Sequence, residues 1–202
     1  MDNKFNYTLN VREMSRKLHK TEEPVSELSA RDVITRRKIL IIYAGGSLAM
    51  DIGEGGQLSI DSPNSLEMKL KNFRDFYDKK ETFLNGDGLA VTKKISNVRI
   101  HYNIIQYSYI KAGGDASREY TLYILNTIRQ EYDKYDGFLV VSALDTLEYV
   151  ASSISFLIMN LTKPVIFTGS QAPLSQVAND AYRNLLGIFR IFGNFRSEFP
   201  HS

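Results

Sequence analysis

Two hydroxyl side chains sit where a strand-like apolar run ends. The first is Ser47 in Ala44-Gly-Gly-Ser-Leu48, directly after the apolar run Lys38-Ile-Leu-Ile-Ile-Tyr43. Glycines let the backbone turn sharply and bring amide groups close to a ligand, and a hydroxyl behind them can act as a nucleophile if a base takes its proton. The same pattern also suits a strand-to-loop turn with a capping serine. It has neither the dinucleotide-binding glycine spacing nor the Gly-Lys-Ser/Thr ending of a phosphate loop. The second is Ser142 in Ser142-Ala-Leu-Asp-Thr146, after the run Phe138-Leu-Val-Val. Asp145 or Thr146 there can cap a helix, or a carboxylate and a hydroxyl can serve a polar substrate. Lys163, just ahead of Pro164 at a strand start, reads by itself as a solvated surface amine.

Composition narrows the chemistry further. The 202-residue chain has no cysteine, which removes disulfides, thiolate metal sites and a cysteine nucleophile. Its three histidines are His19, His101 and His201, two of them near the chain ends, so a histidine metal cluster is not expected. Net charge is +2, and residues 1–38 hold nine Lys/Arg against six Asp/Glu, too small a surplus for a nucleic-acid footprint. No apolar stretch is long enough for a membrane span, and the start Met1-Asp-Asn-Lys lacks the apolar core of a signal peptide. A cytoplasmic protein is expected, with no membrane and no nucleic-acid partner.

The elements that must position these residues follow from the hydrophobic pattern. Residues 1–37 are polar and read as a loosely ordered extension, with a short helix around Val25–Ile34, and the folded domain is expected over residues 38–202. The continuous apolar run at 38–43 suits a strand buried on both faces, 98–107 reads as a second buried strand, and 138–142 and 164–168 as the third and fourth. Between them, helices are expected at about 65–76, from a Ser117 cap through Tyr120, Ile124, Ile128 and Tyr132, from Asp145 or Thr146 to Leu161, and from Asn179 to Phe192. Residues 51–63 read as a glycine-rich loop and 77–97 as surface excursions. Alternating strands and helices predict an α/β fold, three layers with a mostly parallel sheet flanked by helices. Ligands of such sheets bind at the carboxyl ends of the strands, where Ser47 and Ser142 fall.

Taken in order, three stretches resemble a known family. Tyr43-Ala-Gly-Gly-Ser-Leu-Ala-Met50, Asp136-Gly-Phe-Leu-Val-Val-Ser-Ala-Leu-Asp-Thr-Leu-Glu-Tyr149 and Asn160-Leu-Thr-Lys-Pro-Val-Ile-Phe-Thr-Gly-Ser-Gln-Ala-Pro173 are similar to the amino-terminal domain of the bacterial-type L-asparaginases. Asn179-Asp180 and Asn184-Leu-Leu-Gly187 extend the match. The resemblance implies a Rossmann- or flavodoxin-like α/β domain and hydrolysis of asparagine to aspartate and ammonia without a metal or organic cofactor. It also implies self-association into a homo-oligomer.

By resemblance, Ser47 takes the place of the nucleophilic threonine, Asp145 and Lys163 are the proton-relay pair, and Gly46, Asp115, Ser142 and Thr146 bind the substrate amino acid. The departures are specific. Ala44 stands for the leading threonine of the first motif, and Ser142 and Ala143 for the His-Gly of the second. Leu144 replaces the second catalytic threonine and has no hydroxyl. Ala112-Gly113 replaces a substrate-clamping Asp-Ser pair, and Gln57 a tyrosine that closes the nucleophile loop. The resemblance also implies a smaller carboxy-terminal domain that this stretch does not match. Two functions are therefore expected: an asparaginase-like amidohydrolase, or an inactive or truncated homologue that binds a small amino acid or another subunit.

Overall fold

In the computed structural model the described residues are 35–60, 62–85, 88–91, 97–108 and 117–195. The first strand, β1, runs Thr35–Tyr43 and lies at the centre of a five-stranded sheet. It is flanked by β5 (Val98–Gln106) on one side and β6 (Gly137–Val141) on the other, both parallel to it. β7 (Val165–Thr168) continues the parallel ladder beyond β6. β4 (Leu89–Ala90) closes the opposite edge, antiparallel to β5. A separate two-stranded ribbon pairs β2 (Asp51–Ile52) with β3 (Leu58–Ser59). The helices are α1 (Ser65–Lys71), α2 (Lys79–Asn85), α3 (Arg118–Glu131), α4 (Leu144–Leu157) and α5 (Ala181–Asn194).

β1 shows why the sequence folds this way. Ile39, Leu40, Ile41, Ile42 and Tyr43 are all fully buried, so both faces of the strand are covered. Side chains alternate across a strand, and Ile39, Ile41 and Tyr43 meet Leu185, Phe189 and Phe192 of α5 with Leu66 and Leu70 of α1. Leu40, Ile42 and Ala44 face the other way, onto Ile124 and Ile128 of α3 and Val150 and Ile154 of α4. This is the expected α/β architecture of helices on both faces of a mostly parallel sheet.

Several boundaries differ from expectation. Thr35, Arg36 and Arg37 belong to β1, extending the register with Val98, Arg99 and Ile100, so the strand starts three residues early. The rest of the expected extension lies outside the described residues. Residues 77–97 are not only surface excursions. They include α2, and β4 places buried Leu89 and Ala90 against Tyr102 and His101. α1 stops at Lys71 and α4 at Leu157, each shorter than its apolar pattern. Ser117 caps α3 as expected, its hydroxyl accepting from the Tyr120 amide at 3.2 Å.

α4 is capped differently from the expectation of Asp145 or Thr146. Ala143 takes the extended cap conformation without a side-chain bond, and Asp145 lies inside the first turn. Thr146 is buried, its hydroxyl turned back toward the Ala143 carbonyl at 3.4 Å. Among the described residues no helix is long and apolar enough to cross a membrane.

Candidate active site

The chain leaves β1 for β5 on one side of the sheet and later returns to lay β6 on the other side. The loops after β1 and β6 therefore part above the middle of the sheet, a topological switch point where α/β proteins bind ligands. Tyr43 ends β1 and donates its buried hydroxyl to the Gly46 carbonyl at 2.9 Å. Burial pushes that phenol far above its ordinary value, so it stays a neutral donor. Gly46 is held at φ +83°, and a Cβ on it would stand 2.6 Å from the Ser142 carbonyl oxygen. No other residue fits where the two loops touch.

Ser47 opens a short 3₁₀ turn, Ser47–Ala49, immediately beyond this contact. Its hydroxyl donates to the carbonyl of Ser170, after β7, at 2.6 Å. Two more bonds join the same loops, Leu174 N–H to the Leu48 carbonyl at 2.9 Å and the Ser175 hydroxyl to the Met50 carbonyl at 3.3 Å. Ser142 is fully buried, and its amide donates to Thr168 at 2.9 Å. Its hydroxyl has only a long 3.4 Å contact with the Ala143 carbonyl. Ser170 is 4% exposed, and its own hydroxyl, pointing into this packing, meets no partner among the described residues. Leu144, 42% exposed, lies over Gly169: its Cδ2 is 2.9 Å from where a Cβ on Gly169 would be.

The loop after β7 is fixed by α5. Asp180, the residue before the helix, accepts from the Gln171 amide at 2.9 Å and the Ala172 amide at 2.9 Å. Partial burial pushes its carboxyl upward, but the Ala172 and Gln171 amides outweigh this and hold it below the ordinary carboxylate value. One turn on, the Asn184 amide donates to the Gly169 carbonyl at 3.0 Å.

Gly46, Ser47, Ser142, Asp145 and Thr146 are thus brought to one end of the sheet. Lys163 is not, and the expected pairing of Lys163 with Asp145 and Ser47 is corrected by the direction of β7. Lys163 lies before the strand, five residues from Thr168, about 16 Å down the sheet at roughly 3.3 Å per residue. There its amine donates to the Tyr132 carbonyl at 2.6 Å and sits 4.7 Å from the centre of the Tyr132 ring. Asp115 and the neighbouring Ala112-Gly113 lie outside the described residues. Gln57 is exposed in the β2–β3 turn, its carbonyl accepting from the Gly53 amide. Among the described residues no cluster of three acidic or histidine side chains is placed to hold a metal.

The motif reading gave no role to Ser170, Asp180 or Asn184. One signal was available: Phe167-Thr-Gly-Ser170 repeats the strand–glycine–serine pattern that marks Ser47. The Asp180–loop bonds need tertiary structure to be seen.

A parallel α/β sheet with a hydroxyl at its switch point defines a class of small-ligand sites rather than one protein. The family is settled by comparison. Residues 38–201 match the family described as asparaginase, N-terminal, and the chain belongs to that family. It is 32% identical over 169 residues to the 60 kDa lysophospholipase of Mus musculus, covering 82% of this chain and 29% of that protein. It is 29% identical over 160 residues to L-asparaginase 1 of Escherichia coli K12, covering 79% and 41%. The crystal structure of L-asparaginase I from Vibrio cholerae superposes with a TM-score of 0.64 at 29% identity, over 79% of this chain and 42% of that one. The chain therefore spans less than half the length of these relatives.

Proposed function

We propose that this domain carries the nucleophile side of an amidohydrolase site for a small amino-acid amide, L-asparagine in the first instance. In this reading the Ser47 oxygen attacks the side-chain amide carbon, ammonia leaves with the proton given up by Ser47, and water cleaves the acyl-serine ester to release aspartate. Asp145, exposed in the first turn of α4, is placed to meet the substrate's ammonium group, with Gly46, Ser142 and Thr146 forming the wall between the loops. The observation that carries the reading is the Ser47 hydroxyl at the switch point, fixed on the Ser170 carbonyl at 2.6 Å. A carbonyl orients a hydroxyl but cannot take its proton. Lys163 faces the other end of the sheet, so it does not supply the base. Self-association belongs to this reading through the resemblance, and a cytoplasmic setting is proposed with it.

Leu144 and the position of Lys163 favour a second reading, in which the chain binds the amino acid without turning it over. Loss of an essential relay group costs on the order of 10⁴–10⁶ in rate. Ammonia release from L-asparagine by the purified chain, compared with Ser47→Ala, separates the two. Release abolished in the variant supports the first reading. Equal release in both proteins eliminates Ser47 as nucleophile. No release, with thermal stabilisation by L-aspartate, supports the second. Release of fatty acid from lysophosphatidylcholine instead of ammonia would overturn the substrate class.

A further inference from the structure

We propose that Asp180 and Asn184 are positioning residues for Ser47, acting through the carbonyl of Ser170; this rests on Ser47 being the reactive hydroxyl. The two side chains lie four residues apart on one face at the start of α5, with Asn184 Nδ2 3.5 Å from Asp180 Oδ2. Together they hold both flanks of Ser170. Asn184 donates to the carbonyl of the residue before it, Gly169, at 3.0 Å. Asp180 accepts from the amides of the two residues after it, Gln171 at 2.9 Å and Ala172 at 2.9 Å. Between these clamps the Ser170 carbonyl is the acceptor left for Ser47, 123 positions away in sequence.

Asp180 is not needed as the helix cap. That role is taken by Asn179, whose Oδ1 accepts from the Tyr182 amide at 2.9 Å. Asp180 is therefore directed at the loop, where its ionised form, favoured by the two amides and by the start of α5, gives the stronger bonds. Among the described residues the buried hydroxyl of Ser170 has no partner of its own to hold the turn. Both flanks of Ser170 are thus held from the start of α5, and through them the carbonyl that orients Ser47.

The test uses the full chain and reads Ser47 directly by NMR. In the wild type the Hα–Hβ couplings of Ser47 should report one dominant χ1 rotamer. In Asp180→Asn, and separately in Asn184→Ala, they should report averaging over rotamers, with faster hydrogen exchange at Gln171 and Ala172. Arg183→Gln, on the exposed side of the same helix, should change neither. Loss of amide protection with the Ser47 couplings unchanged would reduce Asp180 to a loop fastener and overturn the proposal. This readout needs no turnover, so it stands apart from failure of the amidohydrolase reading. Where Ser47-dependent ammonia release is present, Asp180→Asn should lower kcat by about 10- to 100-fold, the cost of misplacing a reacting group by up to about 1 Å, with KM within about twofold. A parallel rise in KM, or a fall in kcat matched by the fraction unfolded, would overturn it equally.

Discussion

Replacing Gly46 with alanine tests the contact on which the whole candidate site is built, and the chain supplies its own control. Two glycines, Gly46 at φ +83° and Gly56 at φ +79°, have nearly the same positive φ, which L side chains rarely adopt. Adding a Cβ at such a φ costs about 1–2 kcal/mol by itself. At Gly56 nothing lies within 4 Å of the added carbon, so that cost stands alone. At Gly46 the added carbon is 2.6 Å from the Ser142 oxygen, 2.8 Å from the Ser142 carbonyl carbon and 2.9 Å from Ala143 Cα. These are backbone atoms at the end of a buried strand and cannot rotate aside.

Restoring ordinary contact, which starts at 3.4 Å, requires the loops after β1 and β6 to separate by up to 0.8 Å (3.4 minus 2.6). Overpacking of this kind costs about 1–3 kcal/mol more, giving about 2–5 kcal/mol for Gly46→Ala against 1–2 for Gly56→Ala. In a chain of this size each kcal/mol lowers Tm by about 2–4 °C. Thermal melts followed by circular dichroism should show losses of about 2–8 °C for Gly56→Ala and about 4–20 °C for Gly46→Ala. Equal losses would mean that the β1 and β6 loops are not in contact, and the switch-point site would fall with them.

Three further outcomes are expected. Lys163→Met should cost about 1–2 kcal/mol of stability, because it removes the amine from the Tyr132 carbonyl and ring, and should leave kcat for any Ser47-dependent release unchanged. A collapse of kcat at unchanged Tm would restore Lys163 to the relay. Burial raises both Tyr43 and Tyr102 well above the ordinary phenol value of about 10, so the fold favours their neutral forms. Their contribution is complete below pH 10 and is lost as pH rises beyond it, when unfolded tyrosines ionise and the buried ones cannot. Absorbance at 295 nm should show these two among the last of the tyrosines to ionise, together with loss of the far-ultraviolet circular dichroism. Tyr102→Phe should move the alkaline unfolding midpoint upward while costing about 0.5–1.5 kcal/mol at neutral pH, since the Phe76 carbonyl loses its donor. Ionisation of all tyrosines before unfolding would refute this.

The parts of the molecule legible in the sequence are those decided by apolar patterning over short distances. The runs at 38–43 and 138–142 could be read as doubly buried strands because no polar residue interrupts them, and the structure covers both of their faces. Ser117 could be read as a cap because a cap is local: the bond to Tyr120 spans three residues. Leu89-Ala90 escaped notice because two residues carry no period. They become a strand only through the Tyr102 and His101 partners of β5.

The misplacement of Lys163 has a different origin. Proximity to a strand in sequence says which strand a residue accompanies, but the end of the sheet depends on whether the residue comes before or after it. In a parallel sheet every approach segment lies at the amino end and every exit segment at the carboxyl end. Ser47, Ser142 and Ser170 all exit strands, whereas Lys163 approaches one. That rule needs no coordinates beyond the parallel order. Applied to the exits of β1, β6 and β7, it selects the three serines that converge and rejects the lysine that does not. It says nothing of Asp180, which precedes a helix instead of leaving a strand. Its place under Gln171 and Ala172 depends on how α5 packs Leu185 and Phe189 against β1 and β5, so the part of the site furthest from any motif is set by the core itself.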